Sequence, residues 1–191
     1  MRVISGTAKG VRLQSVPGTS TRPTLDRVKE ALFNILQTRV RGSDFLDLFA
    51  GNGGIGIEAL SRGARSAVFV DHSPACTKVI RTNLKIAHLE QAETVVLTMP
   101  VAPAIKRLER AGRQFDIIFL DPPYGRRMVE QTFALLESTS LIRTGGLVVA
   151  EYGAKEEIDL SASKFECMRQ EKYGDTVLGF FSLRKDESEC E

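Results

Sequence analysis

The chain has 191 residues, 42% hydrophobic and 26% charged, which suits one well-buried soluble domain and leaves too little for two. No apolar run approaches a membrane span, the opening Met1-Arg2-Val3-Ile4-Ser5-Gly6 lacks the apolar stretch of a signal peptide, and Cys76, Cys167 and Cys190 with His72 and His88 form neither a disulfide framework nor a zinc site. A cytoplasmic, metal-free monomer is the expected state. The net charge of +2 is unevenly spread, with eight Lys/Arg against two acids in residues 1–43 and 18 against 22 in the remainder. From charge alone, a basic arm on a mildly acidic body fits a polyanionic partner and an ordinary solvated surface equally well.

Residues 2–5 and 11–16 read as short extended pieces broken by Gly6, Gly10, Pro17 and Gly18. The spacing of Val28, Leu32, Ile35 and Leu36 predicts a helix over 24–37, with Pro23 just before it. Arg41-Gly42-Ser43 is a hinge that divides a basic appendage (1–43) from a main domain (44–185) and a tail (186–191). In the main domain strands at 45–50, 67–71, 94–97, 115–120 and 146–151 alternate with helices at 55–62, 74–87, 102–110 and 129–138. Such alternation predicts an α/β fold, a parallel sheet with helices on both faces. Residues 165–173 and 177–184 form a closing hairpin around Gly174-Asp175, which must add antiparallel pairing at one edge.

The first strand of the main domain runs into Asp47-Leu48-Phe49-Ala50-Gly51-Asn52-Gly53-Gly54-Ile55-Gly56. Gly51, Gly53 and Gly56 match the glycine spacing of dinucleotide sites, and Asp71 ends the next strand, where a carboxylate accepts hydrogen bonds from ribose hydroxyls. With strand, glycines, helix and acid in register, an adenosine-type cofactor is the expected ligand. Asp47 sits where a dinucleotide would put its pyrophosphate, and a carboxylate there repels phosphate. S-adenosylmethionine (SAM) has no phosphate and carries an ammonium and a sulfonium, which an acid suits, although Asp47 could instead cap the turn. His72 follows Asp71 and stands within reach of the cofactor, but an exposed loop position also explains it.

Asp121-Pro122-Pro123-Tyr124 follows the apolar run Phe115-Asp116-Ile117-Ile118-Phe119-Leu120, so it sits at the carboxyl end of a buried strand, the edge at which open α/β sheets bind ligands. Two prolines stiffen the turn and leave its carbonyls free as acceptors. Asp121 and the Pro122 carbonyl would each accept one N–H of an exocyclic amine, and Tyr124 would stack on the base. The amine is then held for in-line methyl transfer, which depends on positioning and electrostatics. Arg126 and Arg127 stand at the pocket mouth, where they would meet the phosphates of a polyanionic substrate.

Together these motifs resemble class I SAM-dependent amino-methyltransferases, and more narrowly the bacterial 16S rRNA guanine-N2 methyltransferases, the RsmD family. The resemblance runs over most of the chain: Arg2-Val3-Ile4-Ser5-Gly6 with Lys9-Gly10, Arg22-Pro23-Thr24 through Asn34, Asp47–Gly56 with Glu58-Ala59-Leu60-Ser61-Arg62-Gly63, and Asp121–Tyr124. It implies a seven-stranded, mostly parallel Rossmann-like sheet and a small N-terminal appendage that helps bind RNA and cover SAM. It places Asp47, Phe49, Gly51, Gly53, Gly56, Asp71, His72, Met99 and Asp121 around the cofactor, and Asp121, Pro122 and Tyr124 in catalysis. Arg2, Lys9, Arg12, Arg22, Pro23, Thr24, Arg27, Pro123, Arg126 and Arg127 would face 16S rRNA or an assembling small subunit. One departure stands out: such enzymes usually follow the strand at 94–97 with an acidic or amide side chain for the adenine amino group, whereas Thr98-Met99-Pro100 offers only apolar contact and backbone groups. Three other readings share parts of the pattern. A DNA adenine-N6 methyltransferase shares the tetrapeptide but needs a target-recognition insert for which 191 residues leave no room. A non-catalytic SAM- or RNA-binding module would not need the tetrapeptide, and an NAD-dependent oxidoreductase rests on the glycines alone.

Overall fold

A computed structural model describes residues 1–16, 26–90, 92–123, 125 and 127–184. Its centre is a seven-stranded sheet of β1 (Asp44–Leu48), β2 (Ser66–Asp71), β3 (Glu93–Thr98), β4 (Phe115–Leu120), β5 (Ile142–Gly153), β6 (Phe165–Tyr173) and β7 (Thr176–Leu183). The strand order is β3-β2-β1-β4-β5-β7-β6. The first five strands run parallel, while β7 pairs antiparallel with both β5 and β6. This is the expected architecture, closing hairpin included. The fifth strand begins earlier than its apolar run suggests, because Arg143-Thr144-Gly145 joins it through a register shift against β4.

The helices are α1 (Asp26–Leu36), α2 (Gly54–Ser61), α3 (Pro74–Ile86), α4 (Val101–Arg110) and α5 (Met128–Glu137). Alternation along each strand sends side chains to opposite faces and divides the core in two. Phe45, Phe69, Ile117, Phe119, Leu147 and Val149 face α1, α2 and α3 in one cluster. Leu46, Leu48, Val68, Val70, Ile118 and Val148 face α4 and α5 in the other. The parallel strands β1, β2 and β4 are buried on both faces, as continuous apolar runs require.

The N-terminal arm is stitched to α2. Arg2 and Arg12 form an isolated antiparallel bridge. Glu58, fully buried, accepts the Ile4 and Ser5 N–H groups at 2.8 and 3.0 Å, and pairs with Lys29 and Arg62 at 3.3 and 2.8 Å. Burial lowers the Lys29 pKa, and Glu58 acts against that shift. The Ser61 hydroxyl donates to the Ser5 carbonyl and accepts from the Ala8 N–H. Gly6 has φ +84°, and a Cβ there would lie 1.8 Å from the Ser61 carbonyl oxygen, so only glycine fits. The arm motif and the Glu58–Gly63 segment are therefore the two halves of one contact.

Candidate active site

Strand order reverses between β1 and β4, the position at which open α/β sheets form their ligand crevice. The glycine loop opens α2 there. Gly53 caps the helix in a left-handed conformation, and Gly56 lies flat on β2, where a Cβ would stand 2.3 Å from the Phe69 ring. Phe49, half-buried, has φ 65°, a conformation of roughly 1–3 kcal/mol strain that in a bulky residue points to a functional loop.

Three carboxylates line this edge. Asp47 accepts the Gly56 N–H at 3.0 Å, so one of its oxygens does cap the turn. It is nonetheless buried, and burial, with a smaller contribution from Asp121 and Asp71, raises its pKa to about 8 against the pull of the Gly56 hydrogen bond. Burial likewise raises the Asp121 carboxyl to about 7. Asp71 accepts the Gly51 N–H at 2.9 Å and the Ser73 N–H at 2.8 Å, and so ties the glycine loop to the start of α3. The ribose role expected of Asp71 thus falls to lone pairs left over from two backbone contacts. Carboxyls of raised pKa sharing a crevice, Asp47 buried and Asp121 half-buried, are what a cationic ligand stabilises and a phosphate does not. The donor set therefore fits SAM and argues against a dinucleotide.

Met99 is half-buried against the second core cluster, and its N–H donates to the Asp71 carbonyl at 3.0 Å, which removes a backbone donor from adenine recognition. His72 is exposed, with Nδ1 3.7 Å from Asp71. Pro122 is buried and Pro123 exposed, and Gly125 is fixed by Glu156 at 3.1 Å. Arg127 is exposed at the start of α5, 3.8 Å from Glu130. Lys9, Arg12 and Arg27 are exposed, and Arg2 pairs loosely with Asp26 at 3.7 Å. Arg22, Pro23, Thr24, Tyr124 and Arg126 lie outside the described residues, as does Cys190. Cys76 is a packed thiol on α3 whose pKa burial raises, and not a nucleophile.

Two features went unread in the sequence. Glu151, buried near the end of β5, adds a fourth carboxylate to the edge, and its signal was an acid ending the apolar run Leu147-Val148-Val149-Ala150. An open cleft of about 440 Å³ runs along α3 at the β3 edge, with Lys78, Arg81 and Lys85 among its lining residues. These cations recur at helical spacing on the exposed side of α3.

The model of the family described as conserved hypothetical protein 95 matches residues 1–182. The chain belongs to this family. Among its relatives is the putative rRNA methyltransferase YlbH of Bacillus subtilis, 38% identical over 184 residues, 96% of this chain and 100% of that one. Ribosomal RNA small subunit methyltransferase D of Escherichia coli K12 is 34% identical over 151 residues, 79% of this chain and 74% of that one. The solved structure of the putative methyltransferase yhhF from Escherichia coli superposes with a TM-score of 0.80 at 31% identity, covering 97% of this chain and 99% of that one. Family membership thus covers both the arm and the sheet, the two regions whose motifs interlock at Glu58.

Proposed function

We propose that this chain is a SAM-dependent methyltransferase that modifies the exocyclic N2 of a guanine in small-subunit rRNA. The observation that carries the reading is the pair Asp47 and Asp121, a buried and a half-buried carboxyl of raised pKa at the switch point, one beside the glycine loop and the other opening the Asp-Pro-Pro turn. The names of the relatives support rRNA as the substrate class. They do not favour the DNA adenine or non-catalytic alternatives.

Asp47, Asp71 and the glycine loop would hold SAM, with Phe49 and Met99 providing apolar contact. When bound, SAM supplies a methyl group made electrophilic by its sulfonium. Asp121 accepts one N2 hydrogen and the Pro122 carbonyl the other, which localises the N2 lone pair and orients it. Alkylated N2 is acidic, and a carboxylate whose pKa lies near 7 is well matched to take the departing proton. Residues 1–43 form the RNA-facing appendage in this reading, with the exposed Arg2, Lys9, Arg12 and Arg27 available to phosphates.

The test is SAM-dependent labelling of small-subunit rRNA, free or assembled, from cells lacking the enzyme, followed by nucleoside mass spectrometry. N2-methylguanosine is the expected product. Its absence, or preferential labelling of duplex DNA, refutes the reading. An Asp121→Ala variant is expected to lose about 100-fold or more in kcat, and unchanged turnover would overturn the role of the turn.

A further inference from the structure

Beyond residue 43 the chain is acidic on average, yet its charges are polarised. Residues 72–113 hold seven Lys/Arg against three acids, while the rest of 44–191 holds eleven against nineteen. That basic stretch is α3, the edge strand β3 and α4. The two helices bracket β3 from opposite faces of the sheet: Ile80 and Leu84 of α3 belong to one core cluster, Ile105 and Leu108 of α4 to the other. Lys78, Arg81 and Lys85 are exposed on α3, as are Lys106, Arg107 and Arg110 on α4. Among the described residues no acid pairs with Lys78 or Lys85. Arg81 leans over the sheet edge, where its guanidinium donates to the Thr77 and Val96 carbonyls at 3.2 and 3.1 Å.

The open cleft of about 440 Å³ lies along this side of α3, lined by three cations, three threonines and a proline. A pocket for a small ring compound is lined mainly by apolar and aromatic side chains, and this lining holds no aromatic. Cations and hydroxyls are instead the groups that meet the phosphate and sugar oxygens of a nucleic acid. The cleft also starts where a substrate has to arrive. Thr98 stands opposite Asp71 in the β2–β3 pairing, so that end adjoins the carboxyl edge of the sheet. From Pro74 to Lys85 the lining follows α3 for about 16 Å back toward the start of β3. The same helix holds the basic arm: its buried Asn83 accepts the Gln14 N–H at 2.8 Å and donates to the Gln14 carbonyl at 3.1 Å. We propose that this cleft is a second RNA-binding surface, in which Lys78, Arg81 and Lys85 hold the sugar–phosphate backbone beside the target nucleotide. This rests on the reading of the chain as an rRNA methyltransferase. α3 then fixes the arm and the cleft relative to each other. Backbone contacts there position the RNA and leave the choice of base to the crevice.

The experiment measures binding of small-subunit rRNA from cells lacking the enzyme, across a salt series, for three proteins. They are the wild type, the double variant Lys78→Gln with Lys85→Gln, and a control, Lys164→Gln with Lys172→Gln. The control removes the same net charge from exposed positions at and just before β6, the opposite edge of the sheet. Arg81 is left in place because it also braces the β3 edge. The cleft variant is expected to lose about 10-fold or more in RNA affinity at moderate salt and about two units of salt slope. SAM affinity should be unchanged, and the loss should appear in KM for RNA with kcat preserved at saturation. The control is expected to stay within about 2-fold of the wild type, since a charge far from the RNA is screened. Unchanged RNA binding by the cleft variant, or an equal loss in the control, overturns the proposal. A third variant, Lys78→Arg with Lys85→Arg, keeps the charges and should bind as the wild type does; a loss there as large as in the glutamine variant would also overturn it. If no N2-methylguanosine forms on any RNA while the binding results hold, it is the reaction assigned above that fails and not the surface.

Discussion

Replacing Asp47 with asparagine separates two consequences of burying that carboxyl group. The amide keeps an oxygen for the Gly56 N–H, 3.0 Å from the carboxylate in the native protein, and loses the charge. With a folded pKa of about 8 against an ordinary 3.8, the folded state retains a proton that the unfolded chain releases. The sign follows: the penalty is absent near pH 4 and grows as the pH rises toward 8. At about 1.4 kcal/mol per pH unit, three units give an upper bound of about 4 kcal/mol at pH 7. Asp47→Asn is therefore more stable than the wild type at pH 7 and similar to it at pH 4, as read by urea denaturation. In the proposed site the same change also removes a charge-assisted contact to the SAM ammonium worth about 1.5–3 kcal/mol, a loss of about 10- to 150-fold in affinity. Titration calorimetry at pH 6, 7 and 8 reads the second effect, and wild-type affinity for SAM should rise over that range as Asp47 and Asp121 release protons. A variant no more stable than the wild type at pH 7 that also binds SAM as tightly would refute both the electrostatics and the placement of the ammonium.

Glu58→Ala strands the buried Lys29 ammonium and frees the Ile4 and Ser5 N–H groups, with an expected cost of about 3–5 kcal/mol. A shift in urea stability below 1 kcal/mol would mean the arm is not held as described. Neutralising Arg2, Arg12 and Arg27 together should weaken rRNA binding and lower the salt slope by about two to three units, with SAM affinity intact. Loss of SAM affinity with RNA binding preserved would reassign the arm to the cofactor. Asp44 behaves oppositely to Asp47. Burial would raise its pKa, but hydrogen bonds from Arg65, Ser66 and Arg143 bring it down to about 2. Its contribution to stability is complete above about pH 4 and is lost as the pH falls toward 2, so Asp44→Asn should flatten the acid limb of the stability curve.

The sheet was legible because a parallel sheet buried on both faces writes itself as apolar runs, and the runs at 67–71 and 115–120 differ from the observed strands by a residue at most. The hairpin was legible from Gly174-Asp175. The early start of β5 was not, since Arg143-Thr144-Gly145 carries no strand signal and falls in the register shift between Ile142, opposite Phe115, and Leu147, opposite Ile117. At the site, Asp121 stood out because it ends an apolar run just before two prolines, and Asp47 because it is the one acid in the apolar run at 45–50 that leads into the glycine loop. Glu151 ends such a run too, but no turn residue directly follows it to mark it as part of the edge. The clip at Glu58 was hidden for another reason: its contacts with Ile4 and Ser5 span more than 50 residues, and a glutamate on a short helix looks like surface until the partner segment is placed over it.

Asp71, Asp47 and Glu151 on β2, β1 and β5 and Asp121 directly after β4 belong to four neighbouring strands of the sheet, and all share the side-chain parity of the α1–α3 face. Inserting or deleting one residue within β1, β2, β4 or β5 would turn that strand's acid to the α4–α5 face, whereas a change of two residues would keep it on the correct side. Over evolutionary time the crevice should therefore accept length changes in these strands by even steps and in the loops below the sheet almost freely. The arrangement behaves as a binary code, in which the four acids work together only while every strand keeps the same phase.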